Sequence, residues 1–494
     1  MKLPNTSRRN FIGSILTFFS FVSFKAFSSG KKPVHNKTFA DPLANNPHFD
    51  LGVYHLTEIG TGLYLPTDIS KIFHGYTDKI SYKPGETVSL YLSAPESGLH
   101  LIELKDANGR VVFTFDTWVH PQKINTKKPW ADGFQYNHTV SIKLPASLKS
   151  GFYRFTGDIP LICKGTHVSP DVTVIFPSNT YNAYCDHGGK SLYRPGDPKT
   201  EAAIYRSTVV SHARYNPVAP GDPGNFTESF FRWMEKQEYN THYIADTDLE
   251  DYAEIANSKV VIISGKSEYW TRAARLNIDN FVASGKNVLV LSGNTMYWQV
   301  RHNFRKNLMV CYKSNNLDPL HDTLYSTYYW TTPELNYPVN TSIGADFIGG
   351  GYPMKVANPL HGFKIVQDAS PLLKGTGLKK GDLLHLPTIE TDGAPVKKMV
   401  LPGSAEIPEI DNSKLNFHKV ELIGYTFSIN PNNKPGLGTF MVFQKTPASG
   451  TVVNVASTDW CSPNGIGGKD SKKIETITKN MIEGSLNKRN LFSV

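Results

Sequence analysis

Between Phe49 and Val174, polar and apolar residues alternate in short stretches broken by turn formers. In Asp78–Leu92 the alternation runs on either side of a Pro84-Gly85 turn. Leu99–Leu104 and Val111–Phe115 follow, separated by Ala107-Asn108-Gly109, a hairpin-type turn. Thr139–Leu144 and Gly151–Phe155 continue the pattern, and Pro121–Gly133 reads as a longer loop. Period-two alternation buries one face of each strand and wets the other. This part of the chain therefore reads as an antiparallel β-sandwich, immunoglobulin-like in plan.

The grammar changes at Asp171–Pro177. Here a buried strand leads into a polar loop and then a helical stretch, Glu228–Lys236. Strand-like Thr241–Ile244 comes next, then Val260–Gly265, an unbroken apolar run closed by glycine. Such a run marks a strand buried on both faces, as in a parallel sheet. Thr271–Ser284 has helical spacing, Val288–Asn294 is a second buried strand closed by Gly293, Gly450–Ala456 is another strand, and Ile474–Leu486 a last helix. Strands alternating with helices predict βαβ units and a doubly wound α/β domain. Asp318–Gly436 reads as loop-rich with some β character.

At 494 residues the chain exceeds one ordinary core, which agrees with two domains and a short extra segment. That segment is the N-terminus. Ser7-Arg8-Arg9-Asn10-Phe11-Ile12 precedes an apolar run from Gly13 to Phe24, the pattern of a bacterial twin-arginine export signal. The run is too short to span a bilayer comfortably, so no stable membrane insertion is expected after signal removal. The expected location is periplasmic or extracellular. The formal charge of +9 shrinks on inspection, because Lys2, Arg8, Arg9 and Lys25 stand unopposed in the first thirty residues and leave +5 on the rest. The remaining basic residues are scattered, which excludes a nucleic-acid surface. Cys163, Cys185, Cys311 and Cys461 form no CxxC, so zinc spacing is absent. One disulfide is open to an exported protein, and at least two cysteines read as buried thiols.

Gly265-Lys266-Ser267 imitates a phosphate-binding loop, but Val260 stands where its first glycine is required. More informative are three strand-end segments rich in polar and aromatic residues: Asn179–Tyr193, the one holding Glu268, and Ser292–Arg301. In a doubly wound sheet they converge on one crevice beyond the carboxyl ends of the strands. Glu268, beside Tyr269 and Trp270, is the carboxylate placed for chemistry there.

These segments carry a resemblance. Thr180–Tyr184 with Gly188-Gly189 and Ser191–Tyr193, Ser264–Thr271, and Leu291–Trp298 are similar to the C-terminal domain of the N,N-dimethylformamidase large (beta) subunit. The likeness continues through Arg301, Tyr312-Lys313 and Asp318-Pro319, ends at Asp459-Trp460 and Asn480, and covers roughly Asp171–Leu486. It implies a flavodoxin-like, class I glutamine amidotransferase-like fold and one mononuclear ferric ion held by two tyrosines and a glutamate. The glutamate corresponds to Glu268. Tyr184 is the favoured first tyrosine, with Tyr193 or Tyr153 as the second. An active-site asparagine corresponds to Asn294 and a lysine to Lys313, while Glu390 resembles a later acidic motif and reads as a proton carrier. The family commonly has His where this chain has Lys266, which places Lys266 beside the metal; His187 is a further polar candidate in the first segment.

The expected organisation is a signal peptide over residues 1–30, a β-sandwich over 40–174 and an α/β domain over 175–487. The expected function is exported, iron-dependent hydrolysis of a small non-peptide amide C–N bond. A homo-oligomer is left open, and the family's separate small subunit is not encoded in this chain. The competing expectation is a secreted, non-catalytic protein that binds a glycan or small molecule on the same scaffold.

Overall fold

The computed structural model describes residues 51, 53–54, 68–193, 206–219 and 224–493. The twin-arginine segment and the apolar run behind it lie outside the described residues. Among the described residues, no helix is long and apolar enough to cross a membrane.

Two sheets form first. β1 (His74–Thr77), β2 (Ser81–Tyr82), β3 (Thr87–Ser93), β4 (Gly98–Asp106), β5 (Val111–Val119), β6 (Val140–Lys143), β7 (Gly151–Phe155) and β8 (Ile159–Cys163) supply them. Their orders are β1-β3-β6 and β2-β8-β7-β4-β5. Val88, Leu90 and Leu92 of β3 face Ile102 and Leu104 of β4 and Phe155 of β7 across one shared core. Burying each such side chain contributes about 1.5–3 kcal/mol.

The main sheet draws on β9 (Val172–Phe176), β11 (Thr241–Ala245), β12 (Val260–Gly265), β14 (Asn287–Ser292), β18 (Gly362–Ile365), β19 (Leu383–His385), β21 (Lys419–Ile429), β22 (Pro435–Gln444) and β23 (Thr451–Asn454). Its order is β11-β9-β12-β14-β23-β22-β21-β18-β19. The first five strands are parallel, with Val260 opposite Val172 on one side and Asn287 on the other. Side-chain alternation along β12 splits its run: Val260 and Ile262 enter one core with Ile474, Ile477 and Met481 of the helix Ser471–Leu486. Val261 and Ile263 enter the other with Ala274, Ile278 and Phe281 of the helix Arg272–Ala283. Both faces are covered, which is why Val260–Ile263 is apolar throughout, and the one polar residue of the strand, Ser264, is satisfied by donating to the Ile175 carbonyl at 2.7 Å.

Three expectations are corrected. The sheet is mixed, because β23, β22, β21, β18 and β19 pair antiparallel. The stretch read as loop-rich with some β character holds β18, β19 and β21, and it ends inside the long β21–β22 hairpin. Its glycines conceal it: a Cβ on Gly438 would sit 2.1 Å from Thr391 Oγ1, and one on Gly436 2.2 Å from the Gly350 carbonyl oxygen. Close approach, of the Thr391 side chain at Gly438 and of the Gly350 backbone at Gly436, selects those residues rather than propensity. The segment after β9, read as a loop, opens as a helix over Ser178–Tyr184. All four cysteines are buried free thiols, so no disulfide forms.

A smaller sheet lies at the strand ends. β10 (Val209–Ser211), β13 (Tyr269–Thr271), β15 (Trp298–Asn303) and β16 (Leu308–Val310) pair in the order β10-β16-β15-β13. β17 (Asp346–Gly351) and β20 (Thr391–Gly393) pair beside it.

Candidate functional site

Three chain segments leave the parallel strands and are fixed to one another by the residues that turn them. After β9, the backbone N–H of Asn179 donates to the buried Asp246 carboxylate at 3.0 and 3.1 Å, seating the helix Ser178–Tyr184. Beyond β12, Gly265 adopts φ +70°, and a Cβ there would meet Thr227 Cγ2 at 2.5 Å. The chain then passes through Lys266-Ser267-Glu268 into β13, with the Glu268 N–H donating to Thr180 Oγ1 at 2.9 Å. Beyond β14, a Cβ on Gly293 would stand 2.6 Å from the Thr458 nitrogen and 2.7 Å from the Glu390 carbonyl oxygen. Asn294 and Met296, and across the site Lys313, all hold positive φ, at 51°, 55° and 51°. Left-handed backbone at non-glycine residues costs about 1–3 kcal/mol each and persists only where the surroundings over-determine it.

The Glu268 carboxylate is buried and held at both oxygens. Tyr184 Oη donates to Oε2 at 2.7 Å and Trp298 Nε1 donates to Oε1 at 3.0 Å. Trp298 holds the same residue through its backbone, its N–H donating to the Glu268 carbonyl at 3.0 Å. Lys266 Nζ donates to Tyr184 Oη at 2.9 Å and to Glu390 Oε2 at 2.9 Å, and stands 3.8 Å from Glu268 Oε2. Glu390 Oε2 also accepts from Asn294 Nδ2 at 3.2 Å. Lys266, Tyr184, Glu268, Glu390 and Asn294 thus form one buried network. Asn294 Oδ1 has no hydrogen-bond partner although it is buried.

On the other side of Glu268, Lys313 Nζ donates to Tyr269 Oη at 2.7 Å. Its ammonium sits over three rings, 4.2 Å from the centre of Tyr193, 4.7 Å from Trp298 and 5.1 Å from Tyr269. Tyr193 in turn stacks on Tyr184 with ring centroids 4.4 Å apart. Tyr297, Phe347 and Tyr352 continue the aromatic wall.

Burial sets the protonation states. It pushes the Lys313 amine down to about 7, against the pull of Glu268. It holds the Glu268 carboxyl above its ordinary value and the Tyr184 and Tyr269 phenols well above theirs. Burial also opposes charge on Lys266, but Glu390 and Glu268 beside it prevail and raise its pKa. Lys266 is closer to Glu390 than to Glu268, so its charge is matched to Glu390 first, and Glu268 retains its desolvation cost. A fixed cation, a carboxyl displaced upward and an amine that titrates near neutral pH are buried close together.

Of the residues singled out in the sequence, the structure gathers Glu268, Tyr184, Tyr193, Lys266, Asn294, Lys313 and Glu390. It does not gather Tyr153 or His187. Tyr153 lies in the sandwich core, its hydroxyl donating to the Lys149 carbonyl at 2.9 Å. Phe152, its neighbour on β7, enters the core of the main sheet, and Tyr153 enters the other. His187 sits against the edge of Tyr215, ring centroids 4.9 Å apart, with Nδ1 3.7 Å from Cys185 Sγ. Tyr269, Trp298 and Thr180 were missed. Tyr269 follows Glu268 directly, but Glu268 precedes β13, and both reach the site. Among the described residues, no group of three or more His, Cys, Asp or Glu could hold a metal. A metal bound here would have to use phenol oxygens.

A family model described as N,N-dimethylformamidase beta subunit-like, C-terminal, matches residues 105–464. The match begins at the end of β4, ahead of Asp171 where the motif likeness starts, and spans all three strand-end segments. No curated protein matches the chain.

Proposed function

Because the chain belongs to the N,N-dimethylformamidase beta subunit-like, C-terminal family, we propose that it is a dimethylformamidase-type hydrolase cleaving the C–N bond of a small non-peptide amide. The observation that carries this reading is the buried network in which Tyr184 donates to Glu268 at 2.7 Å while Lys266 bridges Tyr184 and Glu390.

The donor set fits a ferric ion. Tyr184 Oη and Glu268 Oε2 are hard oxygens 2.7 Å apart, and Tyr193 stacks directly on Tyr184. Tyr184, Tyr193 and Glu268 would hold the ion. When bound, it would supply Lewis acidity to the amide carbonyl and to water, and would keep the phenols ionised.

The chain's own groups account for the proton movements. Glu390 Oε2 is held by Lys266 and Asn294, while Oε1 makes no hydrogen bond to another described residue and is placed to take the proton of the attacking water. The water oxygen bonds to the carbonyl carbon. Lys313, which titrates near neutral pH, gives its proton to the leaving nitrogen as the C–N bond breaks; the second water proton passes to the freed amine, yielding a carboxylate and an ammonium ion, and Glu390 returns its proton to Lys313. Lys266 stays charged and offsets negative charge at Glu390. Asn294 Oδ1 is the acceptor left for substrate. Trp298 fixes the Glu268 carboxylate so that it needs no reorganisation.

On the Arg8-Arg9 pattern we also place this activity outside the cytoplasm, and R8K/R9K should retain the protein inside the cell. The family's beta-subunit-like character is compatible with a partner subunit. The decisive experiment combines elemental analysis, a visible phenolate-to-iron absorption band and amine release from formamides. Glu268→Ala should abolish all three. Full iron content and turnover in that variant would sink the proposal.

A further inference from the structure

The sandwich carries a second cavity, of about 540 Å³, at one end of its outer strands. That volume lies within the roughly 300–1,000 Å³ of small-molecule sites. Two segments form it: the end of β5 with the chain after it, and the chain leading into β6. Trp118, the last exposed residue of β5, stands 61% exposed at its wall. His120 lies parallel to it, centroids 6.4 Å apart and planes within 20°, and is held by Nδ1 to Ser97 Oγ at 3.0 Å.

The floor is rigid. Gln122 stitches the two segments, its Nε2 donating to the Leu92 and Asn137 carbonyls at 2.7 and 3.1 Å and its Oε1 accepting from the Asn137 N–H at 2.7 Å. Phe134 and Tyr136 turn into a buried aromatic cluster, with Tyr136 Oη bonded to His74 Nε2 at 2.7 Å. The intervening Gln135 and Asn137 are thereby projected outward, as Asn125 is by its neighbour Ile124. Among the described residues, the side-chain amides of Asn125, Gln135 and Asn137 have no hydrogen-bond partner. No carboxylate lines the cavity.

We propose that this cavity binds a neutral oligosaccharide, with Trp118 stacking on a sugar ring and the Asn125, Gln135 and Asn137 amides pairing with its hydroxyls. An exposed indole presents an apolar plane to the C–H face of a pyranose. Each primary amide donates and accepts at once, as a hydroxyl requires. A rigid floor loses little entropy when the ligand docks. The lack of carboxylates disfavours a cation, and the polar rim disfavours an apolar protein face. The site lies apart from Glu268 and does not depend on the hydrolase reading.

The test is affinity electrophoresis of the full chain in native gels containing dextran, laminarin, xylan or pullulan, with heparin as the polyanion. Retardation by at least one neutral glucan or xylan is expected, unchanged by salt. It should weaken tenfold or more in both W118A and N137A and persist in E268A. No retardation by any neutral polymer, retardation by heparin alone that salt abolishes, or equal retardation in W118A would overturn the proposal. A dimer that W118A dissociates, without glycan binding, would overturn it as well. Trp118 and Asn137 are exposed, so both variants should fold; retained far-ultraviolet circular dichroism would verify this.

Discussion

Replacing Lys313 by Met tests the electrostatic reading most sharply. Lys313 is buried and its amine is displaced from 10.5 to about 7. An unfolded chain binds a proton at this lysine below about pH 10.4, whereas the folded chain does not until about pH 7. Folding therefore releases a proton in that window, and stability rises with pH there by up to about 1.4 kcal/mol per unit. Below pH 7 both states are protonated, and the full cost of the buried ammonium is present, on the order of 4–5 kcal/mol. Met removes this cost but also the hydrogen bond to Tyr269, worth about 1–3 kcal/mol. K313M should therefore be more stable than the wild type by a few kcal/mol near neutral pH, and that advantage should fade towards pH 10. Amide hydrolysis should fall about 10²–10⁴-fold. Urea unfolding of metal-stripped protein, followed by tryptophan fluorescence from pH 6 to 10, measures the effect. A stability difference that ignores pH, or a variant destabilised throughout, would refute the assignment.

Three further outcomes follow from the geometry. Trp298→Phe leaves Glu268 Oε1 buried without its donor, so stability should drop by about 1–3 kcal/mol and kcat more than KM, checked by unfolding and steady-state kinetics. Arg301→Met strands Asp318, which Arg301 grips through both oxygens at 2.8 Å, and should cost about 3–5 kcal/mol in the same unfolding assay. Cys163, Cys185, Cys311 and Cys461 should all be silent towards a thiol reagent in native protein and all react in urea, leaving the thiol count unaffected by prior reduction.

Much of the scaffold was readable because its physics is local. Val260–Ile263 and Val288–Leu291 are unbroken apolar runs because helices cover both faces of those strands, and Arg272–Ala283 begins where Thr271 caps it, its Oγ1 accepting from the Ala274 N–H at 3.2 Å. The carboxylate after β12 stood out because a glycine-ended buried strand points at a crevice. What stayed hidden depends on long-range neighbours. Gly436 breaks strand propensity to admit the Gly350 backbone and Gly438 to admit the Thr391 side chain, and no local pattern announces that. Trp298 was given no role of its own, yet its indole N–H is the partner of Glu268, thirty positions away. Tyr153 and His187 had suitable chemistry, but their side chains answer to the sandwich core and to Tyr215.

Gly293 has a bearing on biogenesis. Its space is bounded by the backbones of Glu390 and Thr458, so the wall behind Asn294 does not exist until a segment some 165 positions downstream has docked. A nascent chain still on the ribosome can complete its first two sheets, but not this chamber. Assembly of the chamber is therefore a late event, one that a truncated product could never reach.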